Sequence, residues 1–149
     1  MGENQSIVRY NYRLRPGAIA TARLELEARL SRYIWNQCVD TSKKSYDAFK
    51  AGEEKIDCSL CSLSKDLTAL RKEHEWLREG SQVVQQQTIR KFIVARSKAF
   101  KIGGFPKFKS KKTDLPSLEY TVNGFSIQDD KLNLAGKVSI PVVWSRELP

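Results

Sequence analysis

The residues most able to do chemistry in this sequence are cations set among rings. The run GFPKFKSKK, Gly104 to Lys112, holds Lys107, Lys109, Lys111 and Lys112 with Phe105 and Phe108 between them and Pro106 to stiffen the chain. Ammonium groups neutralise phosphates, and rings so placed either stack on bases or anchor the loop to a core. Phosphate contact is the reading adopted for the lysines, with anchoring preferred over stacking for the rings. Gln82, Gln86 and Gln87 are a second group. Glutamine forms helices well, and it also pairs bidentately with adenine in the major groove. Cys58, Cys61 and His74 have the spacing C-x2-C-x12-H of a zinc finger's first ligands, yet no second histidine exists and Cys38 would have to close the site. Ordinary packing is the preferred account, and no metal or other cofactor is expected. His74 has no nucleophile or orienting carboxylate paired with it by spacing, so it is not read as a general base. The 17 acidic residues are scattered among lysines, without the clustered carboxylates that a two-metal cleavage site needs. No catalytic residue is assigned.

Charge placement sharpens this picture. Between Gly80 and Thr113 there is no acidic residue, while Arg90, Lys91, Arg96, Lys98, Lys101, Lys107, Lys109, Lys111 and Lys112 are all basic. Those residues account for the whole net charge of +9, and the rest of the chain balances to zero. Such a local field draws polyanions by long-range attraction and counterion release, so nucleic acid is the leading partner class. A basic membrane-surface helix is the competing reading, disfavoured because the lysines beyond Lys101 sit in a glycine- and proline-containing stretch that cannot form such a helix. No apolar run approaches the roughly 20 residues of a membrane span, and no secretory signal is visible at the start, so a cytoplasmic protein is expected. Three cysteines, an odd number, fit reduced thiols.

Periodicity supplies the elements that position these groups. Ile7 to Leu14 alternate as a half-buried strand, with Arg9, Asn11 and Arg13 on the wetter face and Tyr10, Tyr12 and Leu14 on the drier one. Arginine offers phosphate a planar fork, which makes Arg9 and Arg13 candidates for RNA backbone contact. From Ala18 to Phe49 the spacing predicts one helix or a bent pair, and Leu60, Leu63, Leu67 and Leu70 a shorter helix ending near Trp76 and Leu77. A third runs from Ser81, its expected N-cap, to Lys101, with Val84, Ile89, Phe92, Ile93, Ala99 and Phe100 inward. Gln82, Gln86, Arg90, Ser97 and Lys101 share an arc of roughly 100° on it. Tyr33, Trp35 and Trp76 are read as packing residues. After the basic loop come short strands around Leu118 and Tyr120, Phe125 and Ile127, Leu132 and Leu134, and Val138 and Ile140, with turns at Asn123-Gly124, Asp129-Asp130 and Ala135-Gly136.

Several landmarks, in this order, resemble the N-terminal half of TnpB (OrfB family), the RNA-guided nuclease of insertion sequences and a relative of type V CRISPR effectors. They are YRLRP (Tyr12 to Pro16), RYIWN (Arg32 to Asn36), SKDLTALRKEHEWL (Ser64 to Leu77), SQVVQQQTI (Ser81 to Ile89) and GFPKFKSKK (Gly104 to Lys112). The resemblance implies an α+β fold: a bundle of three or four helices, the recognition lobe at 17–103, inserted between a first wedge strand at 1–16 and a basic loop with a partial, incomplete oligonucleotide-binding-like β-barrel at 104–149. It implies binding without cleavage, since the RuvC-like core and its zinc element are expected to lie outside these residues. Gln82, Gln86 and Asn123 take the role of reading a DNA motif beside the target, and Arg9, Arg13, Arg90, Lys101, Lys107, Lys109, Lys111 and Lys112 that of holding phosphates. The implied partners are a guide RNA and double-stranded DNA, with no membrane. The rival readings are an interaction subunit completed by a separate RuvC-bearing chain, a decayed transposase remnant, and a small DNA-binding regulator.

Overall fold

The computed structural model describes residues 9–54, 58–112, 117–121, 124–135 and 137–145. The fold is α+β. Strand β1 (Arg13–Leu14) is followed by helices α1 (Ala18–Lys50), α2 (Leu60–Glu73), α3 (Glu75–Arg78) and α4 (Gln82–Lys101), then by strands β2 (Phe125–Gln128), β3 (Lys131–Leu134) and β4 (Val138–Val143). All helices thus lie in sequence between β1 and the other strands. Even so, β1 hydrogen-bonds to β4, giving an antiparallel sheet of order β1-β4-β3-β2 that is open rather than closed.

Of the two possibilities for Ala18 to Phe49, a single helix forms: α1 has 33 residues, about 50 Å at the usual rise. It ends where Gly52 takes a positive φ of 74° and Glu53 N–H donates to Ala48 C=O at 2.9 Å; α4 ends alike, with Gly103 at 76° and Gly104 N–H on Ala99 C=O at 2.8 Å. In both cases a glycine in the left-handed region lets the chain turn back to cap the last carbonyls. The helices enclose Leu30, Ile34, Trp35, Cys38 and Val39 of α1, Leu63 and Leu67 of α2, Leu77 of α3, and Ile89 and Phe92 of α4. A second, smaller cluster joins Ala20 and Leu24, at the start of α1, to Leu132, Leu134, Val138 and Ile140 of the sheet. One helix therefore serves both halves of the protein.

The strands follow their alternation and turn chemistry. Asp129 and Asp130, at φ 54° and 58°, are the two central residues of the β2–β3 hairpin, whose register pairs Gln128 with Lys131. Positive φ at both places is the hairpin turn that matches strand twist, and aspartate tolerates it.

Five expectations are corrected. The first strand is short: of the described part of Ile7 to Leu14 only Arg13 and Leu14 join the ladder, and Leu14 is exposed rather than dry. Ile7 and Val8 lie outside the described residues. The second helix does not run on to Trp76, because His74 adopts an extended backbone that separates α2 from α3. Leu118 and Tyr120 form no strand; Tyr120 packs beside Gly124 instead. Phe100 is exposed, because its ring rests on Phe105 at 5.4 Å instead of turning into the bundle. Ser81 caps α4 by position only, since its side chain makes no capping bond.

Candidate nucleic-acid interface

The start of α4 is fixed from a distance. Glu27, in the first half of α1 and wholly buried, accepts the Ser81 N–H with both carboxylate oxygens at 2.8 and 3.0 Å, and pairs with Arg23 at 3.1 Å. A carboxylate at a helix N-terminus satisfies an orphan N–H and opposes the positive end of the dipole. Burial raises the Glu27 carboxyl above its ordinary range, against the pull of the Ser81 bond and of Arg23 and Arg71. Arg71 of α2 completes the knot: it donates to Leu77 C=O at 3.1 Å, Gly80 C=O at 3.3 Å and Gln85 Oε1 at 2.7 Å, while Gln85 Nε2 donates to Leu77 C=O at 3.0 Å. Desolvation lowers the Arg71 pKa, with Glu27 acting in the other direction. Gly80 has no room for a side chain, since a Cβ there would meet Leu30 Cδ1 at 2.5 Å and Gln85 Nε2 at 2.8 Å. Hence the position of Gln82 and Gln86 rests on a buried polar network that pattern reading missed. Glu27 and Gln85 are polar residues with 0% exposure, and only their distant partners explain them.

The Gln82 side of α4 is as the helical period placed it. Gln82, Arg90, Ser97 and Lys101 are exposed along one side, and Gln86 is half-buried, where its Oε1 accepts the Ser64 hydroxyl at 3.2 Å. Gly124 approaches the same helix end, the position of its absent Cβ lying 3.1 Å from Val83 Cγ1. Asn123 itself lies outside the described residues. Tyr120, beside Gly124, is half-buried, and desolvation together with the Glu27 charge pushes its hydroxyl up to about 12.

The basic loop is built onto α1. Trp35 Nε1 donates to Lys107 C=O at 2.8 Å, Asn36 Nδ2 donates to Lys109 C=O at 3.0 Å, and Asn36 Oδ1 accepts Lys109 N–H at 2.8 Å. The Asn36 carboxamide thereby pairs with one loop residue as a neighbouring strand would. Trp35 is in turn fixed edge-on against Phe92 at 5.5 Å. Pro106 is buried and Phe105 half-buried, the latter against Phe100 and Tyr46. Anchoring thus accounts for Phe105, whereas Phe108 stays 50% exposed beneath the Lys43 ammonium.

The basic residues of the acid-free segment divide by task. Arg96 is structural: it donates to Cys58 C=O at 2.8 Å and Ser42 Oγ at 3.2 Å. Lys91 pairs with Glu119 at 3.5 Å, and the Lys109 ammonium sits 3.9 Å from the Trp35 ring centroid. Arg90, Lys98, Lys101, Lys107, Lys111 and Lys112 point to water, and among the described residues none of them makes an ion pair. Lys98 belongs with this group, though the arc drawn from Gln82 omitted it. Arg9 and Arg13 are exposed. Leu14 and Lys111 line one cleft of about 720 Å³ along α1, together with Arg29 and Arg32. The fold thus brings the end of β1 and the end of the loop to one side of α1, and the Gln82 corner is a separate place.

Cys38 is buried, which pushes its thiol up to about 12, Cys58 lies against Thr41 C=O at 3.7 Å, and Cys61 is exposed. Among the described residues no three of His, Cys, Asp and Glu come together as a metal would require, and no helix is long and apolar enough to cross a membrane.

No family model matches the chain. It is similar to a Streptomyces pristinaespiralis protein provisionally named an RNA-guided DNA endonuclease, with 29% identity over 144 residues, which are 94% of this chain and 35% of that protein. The chain thus spans about a third of the length of a relative whose name couples RNA to DNA cleavage.

Proposed function

We propose that this chain is a nucleic-acid-binding part of a TnpB-like, RNA-guided nuclease. It grips a guide RNA through Arg9, Arg13 and the cations of the basic loop, and it reads double-stranded DNA beside the target through Gln82, Gln86 and Asn123. Base pairing by the RNA would then supply target sequence, and the protein would contribute grip and a short flanking motif. The observation that carries this reading is the acid-free segment, whose water-facing cations stand on one side of α4 and on a loop held in shape by Trp35 and Asn36. Pre-shaping a cationic loop cuts the ordering cost of binding. Binding, without cleavage, is the activity assigned to these residues.

The test replaces Lys107, Lys109, Lys111 and Lys112 with glutamine and measures oligonucleotide affinity against salt. The log–log slope should become shallower by about 0.7 for each single-strand phosphate that is no longer neutralised, or about 0.9 for duplex. Unchanged affinity and slope would refute the reading. Sequencing of RNA that copurifies with the protein is the companion test, and enrichment of one defined noncoding species is expected.

A second reading has an observation of its own. Strand β2 is an edge of the open sheet, and Phe125 and Ile127 on it are exposed. Among the described residues no strand pairs with that edge, and an edge with apolar side chains invites another strand, which a separate RuvC-bearing chain would supply. Co-expression with such a chain and a mass measurement of the complex distinguish this arrangement.

A further inference from the structure

Where α1 ends, α4 ends and the basic loop begins, large rings face water together. Tyr46, Phe49, Phe100 and Phe108 are all exposed, and Phe105 links two of them, with ring centroids 5.4 Å from Phe100 and 6.3 Å from Tyr46. Tyr46 and Phe49 are three residues apart on one helix and so share a face. The cations here lie over the rings: Lys43 Nζ is 4.6 Å from the Phe108 centroid and Lys50 Nζ is 4.8 Å from that of Tyr46. Lys101 and Lys107 stand exposed at the same junction. The rings are far from the Gln82 corner, which lies at the opposite end of α4.

We infer that this junction is a stacking platform for unpaired nucleotides, in which Phe108 and Tyr46 take base faces while Lys43, Lys50, Lys101 and Lys107 track the backbone. Grouped exposed rings signal a partner, and their lysine rim selects a polyanion. Among polyanions, only one with open π-faces uses both features, and a duplex hides those faces inside its stack. The ammonium groups now over Phe108 and Tyr46 already hold the cation–π geometry, and an arriving base takes the ring face while the ammonium shifts to phosphate. The inference rests on the proposed nucleic-acid binding and adds which form is bound, and where. RNA and DNA single strands share the required chemistry.

Binding of oligo-U, oligo-dT and a duplex of equal length is compared for wild type, Phe108→Ala, Tyr46→Ala and Phe108→Trp, all at exposed positions and each checked by thermal melting. The alanine variants should each lose about five-fold or more of single-strand affinity, with unchanged salt slope and unchanged duplex affinity, and Phe108→Trp should restore it. A strand carrying 2-aminopurine should show fluorescence quenching with wild type and less with Phe108→Ala. A higher affinity for oligo-U than for oligo-dT identifies RNA as the occupant, and the reverse identifies DNA. If the ring variants bind single strands as wild type does while the four-lysine variant does not, the platform is overturned and the basic-loop reading stands. If wild type binds no oligonucleotide, both fall. Tighter binding to anionic vesicles than to oligonucleotides, lost in the ring variants, overturns the platform in favour of a lipid surface.

Discussion

Removal of the Asn36 carboxamide tests whether the basic loop is held in shape or merely lies where it does. Asn36→Ala deletes two hydrogen bonds, to Lys109 N–H at 2.8 Å and Lys109 C=O at 3.0 Å. Each contributes about 0.5–1.5 kcal/mol net. Both loop groups are partly exposed and regain water when released, which favours the lower half of the sum, about 1–2 kcal/mol. That is a five- to thirty-fold rise in the detached population, at about 1.4 kcal/mol per tenfold. The Lys109 amide reports it directly, because hydrogen exchange at that N–H is slowed by the bond being removed. Exchange there should accelerate by at least this factor while core amides such as that of Phe92 change little. Nucleic-acid affinity should fall by no more than the same factor, with the salt slope preserved, since the lysines are still present. Asn36→Asp keeps an acceptor for the N–H but sets an anion against the carbonyl, so it should fall between alanine and wild type. Unchanged Lys109 exchange in Asn36→Ala would refute the clamp.

Other predictions address the corner that carries Gln82. Gly80→Ala forces a methyl onto Leu30 Cδ1 and Gln85 Nε2, and overpacking of this kind costs about 1–3 kcal/mol; urea denaturation measures it, and an unchanged midpoint overturns the account. Burial raises the Glu27 carboxyl above its ordinary value of 4.5, so the folded chain holds that proton more firmly than the unfolded one. The stability difference between wild type and Glu27→Gln should therefore decline as pH rises from about 4.5 through the raised folded value, and a difference that is flat or grows across a pH series of denaturation curves contradicts it. Gln82→Ala should alter sequence preference in duplex DNA by about 1–3 kcal/mol at one base pair while the salt slope stays fixed; a uniform loss across all sequences means that the side chain reads nothing.

Much of the fold was legible in the sequence because the governing interactions are local. Period-two alternation with Asp129-Asp130 between two runs specifies a hairpin, and Gly52 and Gly103-Gly104 end helices by their own conformational freedom. What stayed hidden depends on partners far along the chain. Glu27 reads as an ordinary helix glutamate until Ser81, 54 residues later, donates to it. Asn36 and Trp35 read as helix surface and core until the loop 73 and 72 residues on supplies the groups they bind. Spacing named the basic residues of the acid-free segment as a cationic set, but it could not divide them, because the Trp35 ring that draws in Lys109 and the carbonyl that engages Arg96 are tertiary neighbours.

The unbroken course of α1 makes it a ruler. Ala20 and Leu24 touch the sheet, and Trp35 and Asn36 grip the loop, so the separation of those two fittings is counted in helical residues, near 24 Å from Ala20 to Asn36 at about 1.5 Å each. Deleting one residue between Leu24 and Trp35 would shorten the span only slightly but swing the grip about 100° around the axis, onto a side where no loop waits. In this stretch of helix even a single-residue change of length disengages one end of the molecule from the other.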